Sequence, residues 1–212
     1  DADGSVLMSV KQYRIQNVLD AAEERIRYAF DNFDRIYTSF SGGKDSTVMM
    51  HMVMQEAQRR GRTVGVLIVD LEAQYQATIE HMHNMVNLYR DNIDLHWVCL
   101  PLSLDNAVSN YEPRWICWDP DAEHLWVRPK PDEAVEEYDW FVPGMEFEEF
   151  VVVWGEWYAQ NQPTGGFVGI RADESLNRFR TIAVWDKEMH GGQRWTTRIG
   201  DGDLFNLYPL YD

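Results

Sequence analysis

The 212 residues predict an α/β fold, a doubly wound and mainly parallel sheet interrupted by an irregular insert rich in Trp and Pro. Short apolar runs rich in β-branched residues alternate with longer stretches whose apolar positions recur at helical spacing. One run, Val64-Gly65-Val66-Leu67-Ile68-Val69, is apolar without a break, as a parallel strand covered on both faces is. The stretches between the runs are long enough to hold the helical crossovers that parallel strands require.

In chain order, the span from about Val10 to Phe33 reads as a helix, with Ile15, Val18, Leu19, Ala22, Ile26, Phe30 and Phe33 on one face. Arg35-Ile36-Tyr37-Thr38-Ser39-Phe40 follows as a strand. Val48, Met49, Met52, Val53 and Ala57 then keep helical spacing through Arg60, and Gly61 is placed to stop that helix. Thr63 to Val69 is the second strand, ended by Asp70. Gln76 to Asn92 carries Ile79, Met82, His83, Val86 and Tyr89 at helical spacing. Leu95-His96-Trp97-Val98-Cys99-Leu100 supplies a third strand, closed by Pro101. Glu146 to Gln160 is a further helix, with Phe147, Phe150, Val151, Trp154 and Tyr158 on one side. Gly165-Gly166 reads as a turn and Phe167-Val168-Gly169-Ile170 as the fourth core strand.

From about Asn110 to Gly144 the periodicity stops. Prolines at 113, 120, 129, 131 and 143 are interspersed with Trp115, Trp118, Trp126 and Trp140, which predicts an irregular insert or lid that is packed rather than disordered. The expectation is one domain over residues 1–212, with its N-terminal helix at 10–33 and this insert at about 110–144.

Composition narrows the function classes. A net charge of −16 argues against a large nucleic-acid footprint, although a local cationic pocket inside an acidic shell still accommodates a small anion. No apolar run approaches the roughly 20 residues of a membrane span. Asp1-Ala2-Asp3-Gly4 has neither the basic nor the apolar part of a secretory signal. Two cysteines, Cys99 and Cys117, are too few for a disulfide scaffold, so reduced thiols in a cytoplasmic protein are expected. Among the six histidines only His81 and His83 are closely spaced, and alternate positions do not share a helix face, so no structural metal is assigned.

Ser41-Gly42-Gly43-Lys44-Asp45-Ser46 stands where a buried strand turns into a helix. Paired glycines let the backbone approach an anion, helix amides and dipole favour negative charge there, and Lys44 with two hydroxyls completes a cradle for phosphates. The Walker loop is excluded, because its first glycine would fall at Thr38 and its Ser or Thr at Asp45. In an open α/β sheet this turn, Asp70 and Arg171 all project from the carboxyl edge of the strands. A carboxylate at that edge, Asp70, suits a magnesium ion or a ribose hydroxyl, or else caps the loop that follows.

The segment resembles the pyrophosphate loop, Ser-Gly-Gly-x-Asp-Ser, of the adenine nucleotide alpha-hydrolase superfamily, which implies the HUP-like fold. That group includes ATP pyrophosphatases and phosphoadenylyl-sulfate (PAPS) reductases. Gly169-Ile170-Arg171-Ala172-Asp173-Glu174-Ser175-Leu176-Asn177-Arg178 is similar to the Gly-x-Arg-x-x-Glu-Ser-x-x-Arg segment of PAPS reductases. The resemblance implies that Arg171 and Arg178 grip the phosphate or sulfate end of a nucleotide, with Glu174 as a possible orienting partner of Arg171. Asp70-Leu71-Glu72-Ala73-Gln74-Tyr75, Trp115-Ile116-Cys117-Trp118-Asp119-Pro120, Gly144-Met145-Glu146-Phe147-Glu148-Glu149-Phe150 and Leu207-Tyr208-Pro209-Leu210-Tyr211-Asp212 resemble a narrower subgroup. These are the PAPS reductase-like proteins grouped with the immunoglobulin-binding regulator A of enteric bacteria, often found beside a ParB-like partner.

The resemblance implies a bacterial protein of sulfur metabolism that binds ATP or a sulfonucleotide (PAPS or APS). Its Ser41, Gly42, Gly43, Lys44, Asp45, Ser46, Asp70, Arg171 and Arg178 line the nucleotide, Lys44, Asp45 and Arg171 act in catalysis, and Asp45 and Asp70 hold magnesium. The reaction would be cleavage of the α–β phosphate bond or transfer of an adenylyl or sulfur group. A nucleotide-sensing regulator acting with a ParB-like partner is the alternative. A third reading, PAPS reduction, needs a thiolate nucleophile that relatives carry in a C-terminal Glu-Cys-Gly-type tail. The sequence given starts without Met and stops at Asp212, and the expectation is a chain shortened relative to the family. Within it Cys117 is the one substitute nucleophile, set against the reading of both cysteines as core.

Overall fold

The structure is a computed structural model that describes residues 15–106, 108, 111–183 and 187–211. Its centre is a seven-stranded sheet in the order β6-β3-β2-β1-β7-β9-β8. The strands are β1 (Arg35–Ser39), β2 (Val64–Val69), β3 (Ile93–Val98), β6 (Ala134–Val135), β7 (Thr164–Val168), β8 (Thr196–Ile199) and β9 (Leu204–Leu207). All neighbouring pairs run parallel except β8 and β9. Two short strands, β4 (Ser103–Asp105) and β5 (Arg114–Ile116), form a separate antiparallel pair. The flanking helices are α1 (Val18–Asn32), α2 (Lys44–Arg60), α3 (Gln76–Tyr89), α4 (Phe147–Ala159) and α5 (Leu176–Ala183).

From β1 the chain steps outward through β2 to β3, then returns to place β7 on the other side of β1. The switch point therefore lies between β1 and β7, where an α/β sheet opens a crevice beyond its strand ends. Val64, Val66 and Ile68 on β2, and Trp97 and Val98 on β3, have no measurable exposure, as strands covered on both faces require. Tyr37 of β1 meets Trp154 edge-on at 5.0 Å, and Trp154 stacks on Tyr158 of α4 at 5.0 Å.

Several expectations need correction. The first helix does not reach back to residue 10 within the described chain. Asn17 accepts a bond from the Asp20 amide at 2.9 Å, a strong N-cap that sets the start at Val18, and residues 10–14 lie outside the described residues. Ile15, Val18 and Leu19 are exposed, and the buried stripe is Ala21, Ala22, Arg25, Ile26, Ala29 and Phe30.

Gly165-Gly166 is strand rather than turn. A Cβ on Gly166 would lie 2.2 Å from Tyr37 Cζ, and one on Gly165 would lie 2.7 Å from Leu207 Cδ1. These glycines admit bulky neighbours to the sheet faces. The span 110–144 is largely irregular, but it contributes β5, a 3-10 turn at Pro120–Leu125 and β6, which extends the main sheet by pairing Trp97 with Ala134. β8 and β9 had no counterpart in the periodicity reading.

Candidate functional site

After β1 the chain passes Phe40, buried, with its amide on Leu67 O at 2.8 Å, and enters the turn at Ser41. Gly42 has φ of +71°, the left-handed region. A Cβ there would lie 2.8 Å from Thr78 Cγ2 and 2.9 Å from Met82 Cε, so the turn rests against α3. Gly43 is the N-cap residue of α2 and supplies no side-chain cap. The first intrahelical bond runs from Thr47 N to Gly43 O at 2.9 Å. The amides of Lys44, Asp45 and Ser46 precede it and have no carbonyl of the helix to serve, which with the helix dipole gives this end the chemistry that suits an anion.

β7 runs beside β1 in register, Ser39 opposite Val168. At its end Gly169 presses on the start of α2, where a Cβ would sit 2.9 Å from Ser46 Cα and 3.0 Å from Ser46 N. That contact carries the following turn to the loop. Arg171 Nε lies 3.5 Å from Asp45 Oδ2, and Lys44 Nζ donates to the same oxygen at 2.7 Å. The Lys44 hydrogen bond, with the nearby Arg171 charge, holds the Asp45 carboxyl below its usual range. Two cations and three unpaired helix amides thus converge on one turn.

Glu174 has a different role from the expected one. Its Oε2 accepts the Arg171 backbone amide at 2.9 Å and pairs with Arg178 Nη1, so it shapes the 171–178 turn rather than aiming the Arg171 guanidinium. The backbone bond is the main cause of its lowered carboxyl pKa. Arg178 pairs with Glu174, whose carboxyl in turn interacts with Asp45, so Arg178 joins the 41–46 loop through Glu174 rather than by a direct contact. Ser175 O accepts the Phe179 amide at 2.9 Å as α5 begins. The Ala172 amide reaches Tyr211 O at 3.0 Å, and Arg25 donates to Pro209 O at 2.7 Å, which ties the C-terminal segment beneath this turn.

Asp70 is completely buried and already committed. Its Oδ1 accepts the Glu72 amide at 2.9 Å and Arg128 Nη2 at 2.5 Å, and its Oδ2 accepts Trp97 Nε1 at 2.9 Å. Trp118 Nε1 donates to Asp70 O at 2.7 Å, and the Trp118 amide donates to Glu72 Oε2 at 2.7 Å. Glu72 and Trp118 both hold positive φ, 64° and 51°. The Asp70–Tyr75 and Trp115–Pro120 segments are thereby locked to each other, with Arg128 of the insert closing the network. Of the two roles expected for Asp70, the geometry is that of the loop cap, with the Glu72 amide on Oδ1, and the same carboxylate anchors the insert through Arg128.

The residues expected to hold magnesium do not fit that ion. Asp45 lies between two cations, Asp70 has no open oxygen, and among the described residues no three His, Cys, Asp or Glu side chains group as a metal site. Both cysteines are unsuited to nucleophilic work. Cys117 is fully buried with its Sγ 3.4 Å from Leu100 O, and burial pushes its thiol up to about 11. Burial also pushes the Cys99 thiol far up. Sequence reasoning missed Arg128, Thr47 and His81. Thr47 Oγ1 lies 2.8 Å from Gly43 O and 2.8 Å from His81 Nε2, and the only sequence signal was the Ser46-Thr47 hydroxyl pair opening α2.

Residues 35–212 match the model of the phosphoadenosine phosphosulfate reductase domain. The chain is 43% identical over 201 residues to the uncharacterized protein YbdN of Escherichia coli (strain K12). That alignment covers 92% of this chain and 49% of YbdN, so the chain spans about half the length of this relative.

Proposed function

The chain belongs to the phosphoadenosine phosphosulfate reductase domain family, and on that premise we propose that its 41–46 turn binds the phosphates of an adenine nucleotide, ATP or a sulfonucleotide such as PAPS or APS. The observation that carries the reading is the convergence of the free amides at 44–46, Lys44 and Arg171 on one turn, brought about by Gly169 packing on Ser46. Lys44 is three-quarters exposed and Arg171 about one-third, so both are open to an incoming anion.

The amides orient and hold the phosphates. Lys44 and Arg171 offset charge that develops on the bridging oxygen as the α–β phosphate bond breaks, and Asp45 keeps both cations aimed there. In the ATP case an acceptor attacks the α-phosphorus and pyrophosphate leaves with the bonding electrons. Asp45 is thus a positioning residue in this scheme. No step is assigned to magnesium, and Arg178 contributes by shaping the turn through Glu174.

Calorimetric titration with ATP, PAPS and APS tests the binding, and assays for AMP, pyrophosphate and sulfite test the chemistry. Failure of all three nucleotides to bind would sink the reading. Sulfite release would restore sulfonucleotide reduction, which the two buried thiols do not support.

A nucleotide-sensing regulator of the immunoglobulin-binding regulator A-like subgroup, acting with a ParB-like partner, is favoured by one observation. Directly after the Arg171 turn, α5 presents Leu176 at 62% and Phe179 at 40% exposure, apolar surface placed to report the state of that turn. Tight nucleotide binding without products, with nucleotide-dependent capture of a purified ParB-like protein, would select this reading over catalysis.

A further inference from the structure

The Gly43 carbonyl is held by three donors. Thr47 N lies 2.9 Å away, Thr47 Oγ1 2.8 Å and Ser46 Oγ 3.0 Å. Each hydroxyl has a single proton to place there. Ser41 Oγ lies 3.1 Å from Ser46 Oγ, and His81 Nε2 lies 2.8 Å from Thr47 Oγ1. With the Nε2-protonated tautomer of His81, Thr47 keeps its proton for Gly43 O, and two chains of hydrogen bonds, one from Ser41 and one from His81, end on the same carbonyl. The His81 ring is further placed by Phe40, edge-on at 6.0 Å.

This carbonyl belongs to the peptide whose N–H is that of Lys44. A trans peptide is planar, and its C=O and N–H point in opposite directions. Pinning the oxygen toward the helix interior therefore aims the Lys44 amide outward, toward the anion seat.

We propose that His81 is a positioning residue for the nucleotide site, acting through Thr47 to fix the Gly43–Lys44 peptide so that the Lys44 amide faces the bound phosphate. The inference rests on the nucleotide reading above. It adds α3 to the elements that define the site, since Gly42 already leans on Thr78 and Met82 of the same helix. Pre-set donors lose less freedom when the anion arrives, and this raises affinity without any contact between His81 and the nucleotide.

The test is calorimetric titration of ATP and, separately, inorganic pyrophosphate into the wild type, His81→Ala, His81→Gln, Thr47→Val, Thr47→Ser and the His81→Ala/Thr47→Val double variant. Loss of one neutral hydrogen bond in the chain predicts weakening of about 3- to 10-fold for His81→Ala and for Thr47→Val. His81→Gln places an amide N–H where Nε2–H stood and restores affinity to within about 2-fold of the wild type, and Thr47→Ser does the same for the hydroxyl. The double variant is no weaker than Thr47→Val alone, because the chain is already cut. A merely structural role predicts no rescue by Gln and additive losses in the double variant, and either result overturns the proposal. Wild-type binding with unchanged affinity in His81→Ala overturns this inference alone, whereas a wild type that binds neither ligand removes the nucleotide reading and this inference with it. If His81→Ala does not fold, His81→Leu takes its place and is compared with His81→Gln, equal affinity of the two overturning the proposal.

Discussion

Gly169→Ala is the sharpest perturbation of the site, because it adds one carbon between the two motifs and changes nothing else. Its Cβ would stand 2.9 Å from Ser46 Cα, 3.0 Å from Ser46 N and 3.3 Å from the Asp45 carbonyl carbon. All three are backbone atoms of the first turn of α2, so no side chain can swing aside. Ordinary carbon contacts begin near 3.5 Å, which requires the turn and β7 to separate by roughly half an ångström or more. Overpacking of this kind costs about 1–3 kcal/mol. For a domain of this size that is a fall in melting temperature of about 3–10 °C. The same displacement draws Arg171 away from Asp45 and tilts the 44–46 amides, so nucleotide affinity falls by at least about tenfold. Gly202→Ala is the control. Nothing lies within 4 Å of a Cβ at Gly202 and its φ lies outside the left-handed region, so stability and affinity stay at wild-type values. Thermal melts and ATP calorimetry on the two variants provide the comparison. A Gly169→Ala protein with wild-type melting temperature and affinity would refute the claim that this contact builds the site.

Other outcomes follow from the same geometry. Arg128→Met leaves Asp70 as a buried unpaired carboxylate and costs about 3–5 kcal/mol in urea unfolding, while the Asp70→Asn/Arg128→Met double variant recovers part of that loss; equal losses in both would show that the pair is not coupled. Glu56 is held near a pKa of about 2, chiefly by its hydrogen bond to Arg59 and also by Arg60. A carboxyl depressed from 4.5 in this way contributes stability above about pH 4.5 that disappears as pH falls toward 2, so Glu56→Gln lowers stability by about 1 kcal/mol at neutral pH and flattens the acid branch of a stability–pH curve. An unchanged acid branch would count against the assignment. Cys117, buried and with its pKa pushed to about 11, resists alkylation in the native protein at pH 8, and Cys117→Ser binds ATP like the wild type; rapid native labelling detected by mass spectrometry would contradict its enclosure.

The parts of this molecule that were legible in its sequence are those whose residues are contiguous. The uninterrupted Val64–Val69 run announced a strand buried on both faces, and the 41–46 turn announced itself because all its chemistry sits in six successive residues. The C-terminal strands were hidden for the opposite reason. Thr196–Ile199 and Leu204–Leu207 have four residues each, too few for a periodicity to emerge, and their place in the sheet is set by pairing of β9 with β7 and of β8 with β9. Gly165 and Gly166 misled because glycine signals a turn locally, while here Tyr37, Phe33 and Leu207 need the space a side chain would fill. Helix α1 was overextended because apolar spacing at Ile15 and Val18 continued past a capping Asn.

The site carboxylates show the same limit in sharper form. An acid at a strand end beside a phosphate turn suggests a metal ligand when seen alone, and the partners that change its meaning lie far along the chain. Arg128 is 58 residues from Asp70, and His81 is 34 from Thr47. Once those partners are in place, four acids of these loops are matched to cations: Asp70 to Arg128, Asp45 to Lys44 and Arg171, Asp173 to Arg171, and Glu174 to Arg178. On the proposed nucleotide reading, this matching lets an anion approach the turn in a chain of net charge −16. Unmatched, those carboxylates would repel the phosphates that the amides attract. Matched, they instead fix where the guanidinium and ammonium groups stand, and leave the Lys44, Asp45 and Ser46 amides as the donors still free to meet a ligand.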